Sequence, residues 1–435
     1  MSWKPTTLWQ IICRSWTTPT FGLLALSLIA TPSRGATPVL AVPASEAPQH
    51  VTAPWPKDAQ GEPTGGWELV ETGEDSKAPV AMQRTAQVAA DGTVADEHGA
   101  LLATLPPKSG VQANRSFTLR PRAAKQAAAF SLFRFEDSGE KSVKLWEGER
   151  PLFVYNHGVI TNEKVVEQDR RGARACYVHP VWGLNGEVLT DDFPADHYHH
   201  HGIFWAWPHV LIEGTEYDLW TYNNIQPKFV RWLYRQTGPA AAVLAVENGW
   251  FVGDKQVLTE RVWLRAFRSG EDERSLDIAM VLIPGDRPVT LRGAEGKSYG
   301  GLTMRFDVWP RRDSAVRAPG HTVRLTGDSL AAPEDLSNTR LPWADLSAQF
   351  PGSPQRSGAA VFVHPGHPDH PPSWLTRCYG VLCVGYPGVD ARTFEAGVPF
   401  RLDYRVWVHK SEVDQERLGR HYEAYGAGAK ASWKP

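Results

Sequence analysis

From residue 67 onward the chain breaks into apolar runs of strand length, with almost nothing at helical spacing. Trp67–Glu71, Val80–Arg84, Leu101–Leu105, Ser116–Arg120 and Phe130–Phe135 come first. Longer runs follow, among them Leu152–Tyr155, Ala175–Val181, Phe229–Gln236, Ala241–Glu247, Gln256–Ala266, Ser275–Leu282, Thr303–Trp309, Ala359–Val363, Gly380–Tyr386 and Phe400–His409. Polar and apolar residues alternate through Glu260–Phe267, as in a strand of an antiparallel sheet. Turn formers such as Asp91-Gly92 and Pro106-Pro107 separate runs, and the 38 glycines and 34 prolines fit that punctuation. This pattern predicts an all-β fold, a large antiparallel β-sandwich. One helix is expected near the C-terminus. Ser411 stands as its cap with Asp414 three residues on, and Leu418, Tyr422 and Tyr425 share a face before Gly426.

The first residues read as a leader. Lys4 and Arg14 precede the apolar run Phe21–Ala30, which is half the roughly 20 residues that cross a bilayer. Cleavage fits after Ala36 or Ala44, and Val42 at the −3 position favours Ala44. The expected division is a signal peptide over 1–44 and a Pro/Ala/Gly-rich linker over 45–66. A small N-terminal β unit over 67–137, the main sandwich over 138–410, and a helix with its tail over 411–435 complete it. The expected destination is periplasmic or extracellular, with no membrane span in the mature chain. A formal net charge of −2 and no Lys/Arg stripe give no basis for nucleic acid binding. Cys378 and Cys383 lie close enough in sequence for one small disulfide, and no Cys-x-x-Cys zinc pair exists.

Chemistry concentrates in Asp191–Trp207, where three aspartates, four histidines and two tryptophans crowd together. Entering a β-strand, His197, His199 and His201 would share one face. Three readings compete: a metal site completed by Asp192 or Asp196, an acid–base site, and polar groups that merely satisfy a loop-to-strand junction. Trp205 and Trp207, also on one face, suit stacking against a sugar ring. Gly300-Gly301 lets a backbone approach closely, and Arg305 emerges from the strand that follows, able to hold an anionic or hydroxyl-rich substrate. The loop His364–Pro372 is stiffened by prolines and presents His364, His367 and His370. Glu260 is a second candidate base. Gly-x-Ser-x-Gly, Walker A, Gly-x-Gly-x-x-Gly and His-Glu-x-x-His motifs are absent, which argues against α/β hydrolases, NTPases, nucleotide oxidoreductases and zincins.

At these motifs the chain resembles a known family. Tyr177-Val-His-Pro-Val181, Gly186-Glu-Val-Leu-Thr190 and Asp196-His-Tyr-His-His200 look like the exported bacterial family labelled "methane oxygenase PmoA-like". So do Val361–Pro371 and the closing Tyr404–His409, and the likeness covers about residues 67–410. Tyr198 and His201 stand where that family usually has Pro and Arg. A methane monooxygenase membrane subunit needs several spanning helices, and this sequence has none. The resemblance implies a sandwich like that of galactose mutarotase, and carbohydrate work. The expectation is therefore an exported protein that binds a sugar or glycoside and moves protons on it by mutarotation, epimerisation or β-elimination. His199 or His201 would be the acid and Glu260 or Asp192 the base. His179, Trp205, Trp207, Arg305 and His364 would contact the substrate. The alternatives are a metal-dependent enzyme holding a divalent ion on His197, His199 and His201, and a non-catalytic glycan-binding or envelope protein.

Overall fold

The computed structural model describes residues 37–434, apart from 60, 62–65, 74–78, 111–112, 123–130, 167, 309–312 and 326–334. The apolar run Phe21–Ala30, Phe130 and Trp309 lie outside the described residues. The fold is all-β, and among the described residues every strand pairing is antiparallel and there is one α-helix.

Two nine-stranded sheets form the sandwich. The first runs, in spatial order, Ser337–Arg340, Ser373–Arg377, Val381–Gly385, Gly301–Arg305, Ile203–Ala206, Tyr177–Val181, Arg150–Asn156, Ser142–Glu147 and Phe133–Ser138. The second runs Gln226–Thr237, Ala241–Val252, Lys255–Phe267, Glu273–Pro284, Phe400–Lys410, Arg356–Val363, Trp343–Gln349, Ser314–Ala318 and His321–Leu325. Alternate residues of both sheets meet in one core, including Ile203, Leu302 and Met304 from the first and Val262, Leu264 and Met280 from the second. Their neighbours in sequence face outward.

The second sheet's outer face is covered as well. Trp263, Phe267 and Ala279 pack under Ala86 and Leu102 of the N-terminal strands, while Phe362 and Trp407 pack under Leu418 and Tyr425 of the helix. Burial on both faces explains why Ala241–Val246 reads as an unbroken apolar run.

The N-terminal region departs from the expected boundaries. Val39–Val42 is a strand paired with Arg115–Pro121, and Leu40 and Val42 are fully buried. A cut after Ala44 would remove this strand, so that boundary does not fit the fold. Residues 45–66 are not a linker, because Gln49–Pro54 pairs along its length with Ala100–Leu105 and buries Val51 and Ala53. Phe133–Ser138, assigned from sequence to the N-terminal unit, is the edge strand of the first large sheet. At the other end the helix spans Gln415–Gly428. Its N-cap is Asp414, whose carboxylate accepts from the Arg417 amide, so Ser411 is not the cap and Gly426 does not end it. The tail returns as Ser432–Trp433 to pair with Val39–Val42. Cys378 and Cys383 are both buried and not bridged; the Thr303 hydroxyl donates to Cys383 Sγ at 3.1 Å. Among the described residues no helix is long and apolar enough to cross a membrane.

Candidate functional site

The histidine run is not a strand. Between Tyr177–Val181 and Ile203–Ala206 the chain crosses the outer face of the first sheet in consecutive turns. The His197 amide donates to Pro194 O and the His200 amide to His197 O, each at 2.9 Å. Gly202 ends the loop where a Cβ would stand 2.1 Å from Val178 O, so only glycine lets the backbone return to the sheet there.

A three-residue turn spacing, rather than alternation, decides which rings meet. His197 stacks on His200 at 4.7 Å and on Tyr379 at 5.5 Å. His199 stands perpendicular to both histidines. His201 points elsewhere, among Tyr177, Phe193 and Phe204. The expected convergence of His197, His199 and His201 is therefore not formed, and among the described residues no three His, Cys, Asp or Glu side chains are arranged to hold a metal ion.

Arg305 ties this loop to the sheet. It faces outward from its strand, opposite in parity to Leu302 and Met304, yet the loop covers it completely. Its Nη2 donates to both oxygens of Asp196, at 2.9 and 3.0 Å, and Nη1 approaches His200 Nδ1 at 3.3 Å. Since a guanidinium only donates, His200 Nδ1 is the acceptor and its proton lies on Nε2. Burial and the Arg305 charge hold His200 well below the ordinary imidazole range. Burial alone would raise Asp196, but the His197 hydrogen bond and Arg305 outweigh it and its carboxyl titrates low. Arg305 is a clamp for the loop and is not placed to touch substrate.

The second cluster centres on Asp192. Its Oδ2 accepts from the Tyr177 hydroxyl and its Oδ1 meets His201 Nδ1, both at 2.7 Å. Burial pushes Asp192 up to about 6, opposed by the nearby His179. Burial likewise lifts Asp191 to about 6, against the pull of Arg305. The same desolvation, followed by Arg174, holds His201 well below its ordinary value. Tyr177, pushed up by burial and by Asp192, stays protonated and can only donate to it. Ionised Asp192 thus selects the Nδ1–H tautomer of His201 and leaves Nε2 as the acceptor. His179 is held by the Thr190 hydroxyl at 3.0 Å. Half-buried His199 lies beside Trp220, and its Nδ1 is buried without a hydrogen-bond partner. Desolvation and the neighbouring His197 bring it down to about 3, so it is neutral at physiological pH.

Other expected site residues lie elsewhere. Trp205 and Trp207 do share a face, but it is the one between the sheets: both are buried, and Trp207 Nε1 donates to Tyr386 O. They cannot stack on a ligand at this loop. Glu260 is fully buried in the same interior, accepting from Asn248 Nδ2 and Trp250 Nε1 at 2.8 Å each, and is no exposed base. His364 folds its own turn by accepting from the Gly366 amide, and borders a different cavity on the second sheet. The rings that meet the histidines are Tyr177, Phe193, Phe204, Trp220 and Tyr379, with Tyr299 packed behind Trp220. Sequence reasoning missed these, although the outward parity of Tyr177 and Phe204 is readable from their strands.

A β-sandwich with an Asp/His cluster on one outer face is the class these observations define. The model of the family described as "Family of unknown function (DUF6807)" matches residues 142–423, and the chain belongs to that family. No curated protein matches the sequence. Among solved structures, an alpha-mannosidase from Enterococcus faecalis V583 is 10% identical, with a TM-score of 0.41, over 92% of this chain and 46% of that one. An alpha-galactosidase from Lactobacillus brevis is 8% identical, with a TM-score of 0.35, over 68% of this chain and 42% of that one. The chain spans less than half the length of either.

Proposed function

We propose that this chain is an exported carbohydrate-active protein that transfers protons on a sugar at Asp192 and His199, with His201, itself buried, coupled to Asp192 by its hydrogen bond. The arrangement of Asp192 carries the reading: a buried carboxyl near pKa 6, held by Tyr177, that fixes the tautomer of His201. A base of that pKa works at neutral pH without being too weak to accept a proton. His199 adds an imidazole at the surface of the loop, and Tyr299 packed on Trp220 at 4.8 Å offers an aromatic face beside it. The apolar run Phe21–Ala30 supports export.

The test is Asp192→Asn. Its amide can still accept from Tyr177, but its NH2 then faces His201 Nδ1 and forces the imidazole into the other tautomer, closing Nε2 as an acceptor. Anomeric exchange, epimerisation and elimination would be followed by NMR over neutral sugars and uronates. The variant should lose about a hundredfold or more in rate while staying folded. Wild-type activity should fall as pH drops through about 6, where Asp192 takes up its proton. Turnover that survives D192N unchanged would exclude Asp192 as the base.

A further inference from the structure

The second sheet carries a charged cavity on its other side, beneath the N-terminal strands and beside the helix. It encloses about 400 Å³, within the range of small-molecule sites. Its floor follows from strand register. Arg265 pairs with Asp277 and Asp277 with Arg405 across three neighbouring strands, all facing outward. Two residues along, Trp263, Ala279 and Asp403 form the next row. Ala279, buried and small, leaves the space open. The roof is Thr52, Pro54 and Ala86, with Tyr425 of the helix at the side.

The charges on this floor do not balance. Arg405 grips Asp277 through Nε and Nη2 at 2.6 and 2.9 Å. Arg401 grips Asp403 through Nε and Nη2 at 2.8 Å each. Both carboxylates are thereby used. Arg265 lines the same cavity only 9% exposed and makes no hydrogen bond or ion pair among the described residues. Its five donors match a planar carboxylate, and they open onto the cavity without a direct bond, Asp277 and Asp403 acting on them only through space. His50 and His364 also border the cavity, and burial holds both below the ordinary imidazole range. With both neutral, the cavity has a surplus of one positive charge.

We propose that this cavity binds a small monocarboxylate of monosaccharide size, a sugar acid, with Arg265 as its counter-ion. One carboxylate takes the free guanidinium face. The remaining volume accepts a ring, with the Thr52 and Tyr425 hydroxyls as partners for its hydroxyl groups. The Asp/His cluster is on the opposite sheet and lines no part of this cavity.

The test is calorimetric titration of the full chain with D-galacturonate and D-glucuronate, against D-galactose and D-glucose. One uronate should bind per chain, and the neutral sugars should bind at least tenfold more weakly. Arg265→Gln should weaken uronate binding by about thirtyfold or more, the usual consequence of removing one partner of a buried charge pair. If that variant does not fold, Ala279→Val narrows the cavity without touching its charge and should weaken binding as well. D192N should bind uronate as the wild type does, so failure of the proton-transfer reading leaves this result standing. Neither uronate binding to the wild type, neutral sugars binding equally well, or full affinity in folded R265Q or A279V would each overturn the proposal.

Discussion

Arg305→Met should destabilise the protein by about 3–5 kcal/mol, the usual cost of removing one member of a buried ion pair. The Arg305 side chain is wholly buried and that of Asp196 is 12% exposed. Methionine would fill part of the space but leave the Asp196 carboxylate with one partner, His197, and His200 Nδ1 without its donor. Because Asp196 and His200 lie on consecutive turns, the loop should loosen as a unit. Arg305→Lys should recover little, since one ammonium cannot reach both carboxylate oxygens and His200 together. The double variant Arg305→Met/Asp196→Leu removes the stranded charge and should be more stable than R305M alone. Urea unfolding of the wild type, these three variants and Asp196→Leu alone measures this. A loss below about 1 kcal/mol in R305M, or simple additivity in the double variant, would show that the pair is not coupled in the way the geometry requires.

The fold class was legible because alternation and turn formers are local properties. The position of the polar loop was legible for the same reason: side chains of that density rarely enter a core. Parity within strands is equally local, and it holds the information needed to place Glu260. Glu260 shares its face with Val262 and Leu264, so it belongs inside with them. Trp205 follows Ile203 in the same way, and Arg305 alternates with Met304. Parity followed along each strand is therefore enough, from sequence alone, to take both tryptophans and the glutamate out of the site.

What the sequence could not show depends on distant contacts. Asp196 and Arg305 are 109 residues apart, and nothing local pairs them. The histidine run resembles a strand by composition, but its backbone closes on Pro194 and His197 in turns. The boundary after Ala44 satisfies a rule about small residues near a cleavage point. That rule takes no account of Leu40 and Val42, which are buried in one cluster with distant residues such as Val51, Leu101 and Phe117. Arg265 looks like any surface arginine of an alternating strand until the N-terminal strands are laid over it. In each case tertiary packing, rather than propensity, decides the role of the residue.

The same packing makes the protein sensitive to acid, and the expected loss is on the order of 5 kcal/mol between pH 7 and 5. Burial brings His199 and His421 down to about 3 and His367 to about 4, so each stays neutral in the fold at pH 5. Once unfolded, each titrates near 6.5 and takes up a proton. A depressed imidazole pKa gives stability that is present above the unfolded value and lost as pH falls below it, at about 1.4 kcal/mol per pH unit for each group. Buried His200 and His201 act in the same direction. Asp191 and Asp192 oppose them: raised to about 6, they bind protons in the fold first and add stability as pH falls from 6 toward 4. Buried Glu260 also acts against the histidines. The histidines are more numerous, so unfolding near pH 5 takes up protons overall. Urea midpoints at pH 8, 7, 6 and 5 should be level at first and then drop steeply below about 6.5. His367→Phe, a ring that needs no proton, should flatten that drop. A midpoint at pH 5 equal to or above that at pH 7 would mean that the acids outweigh the imidazoles and that the histidines are not held neutral by burial.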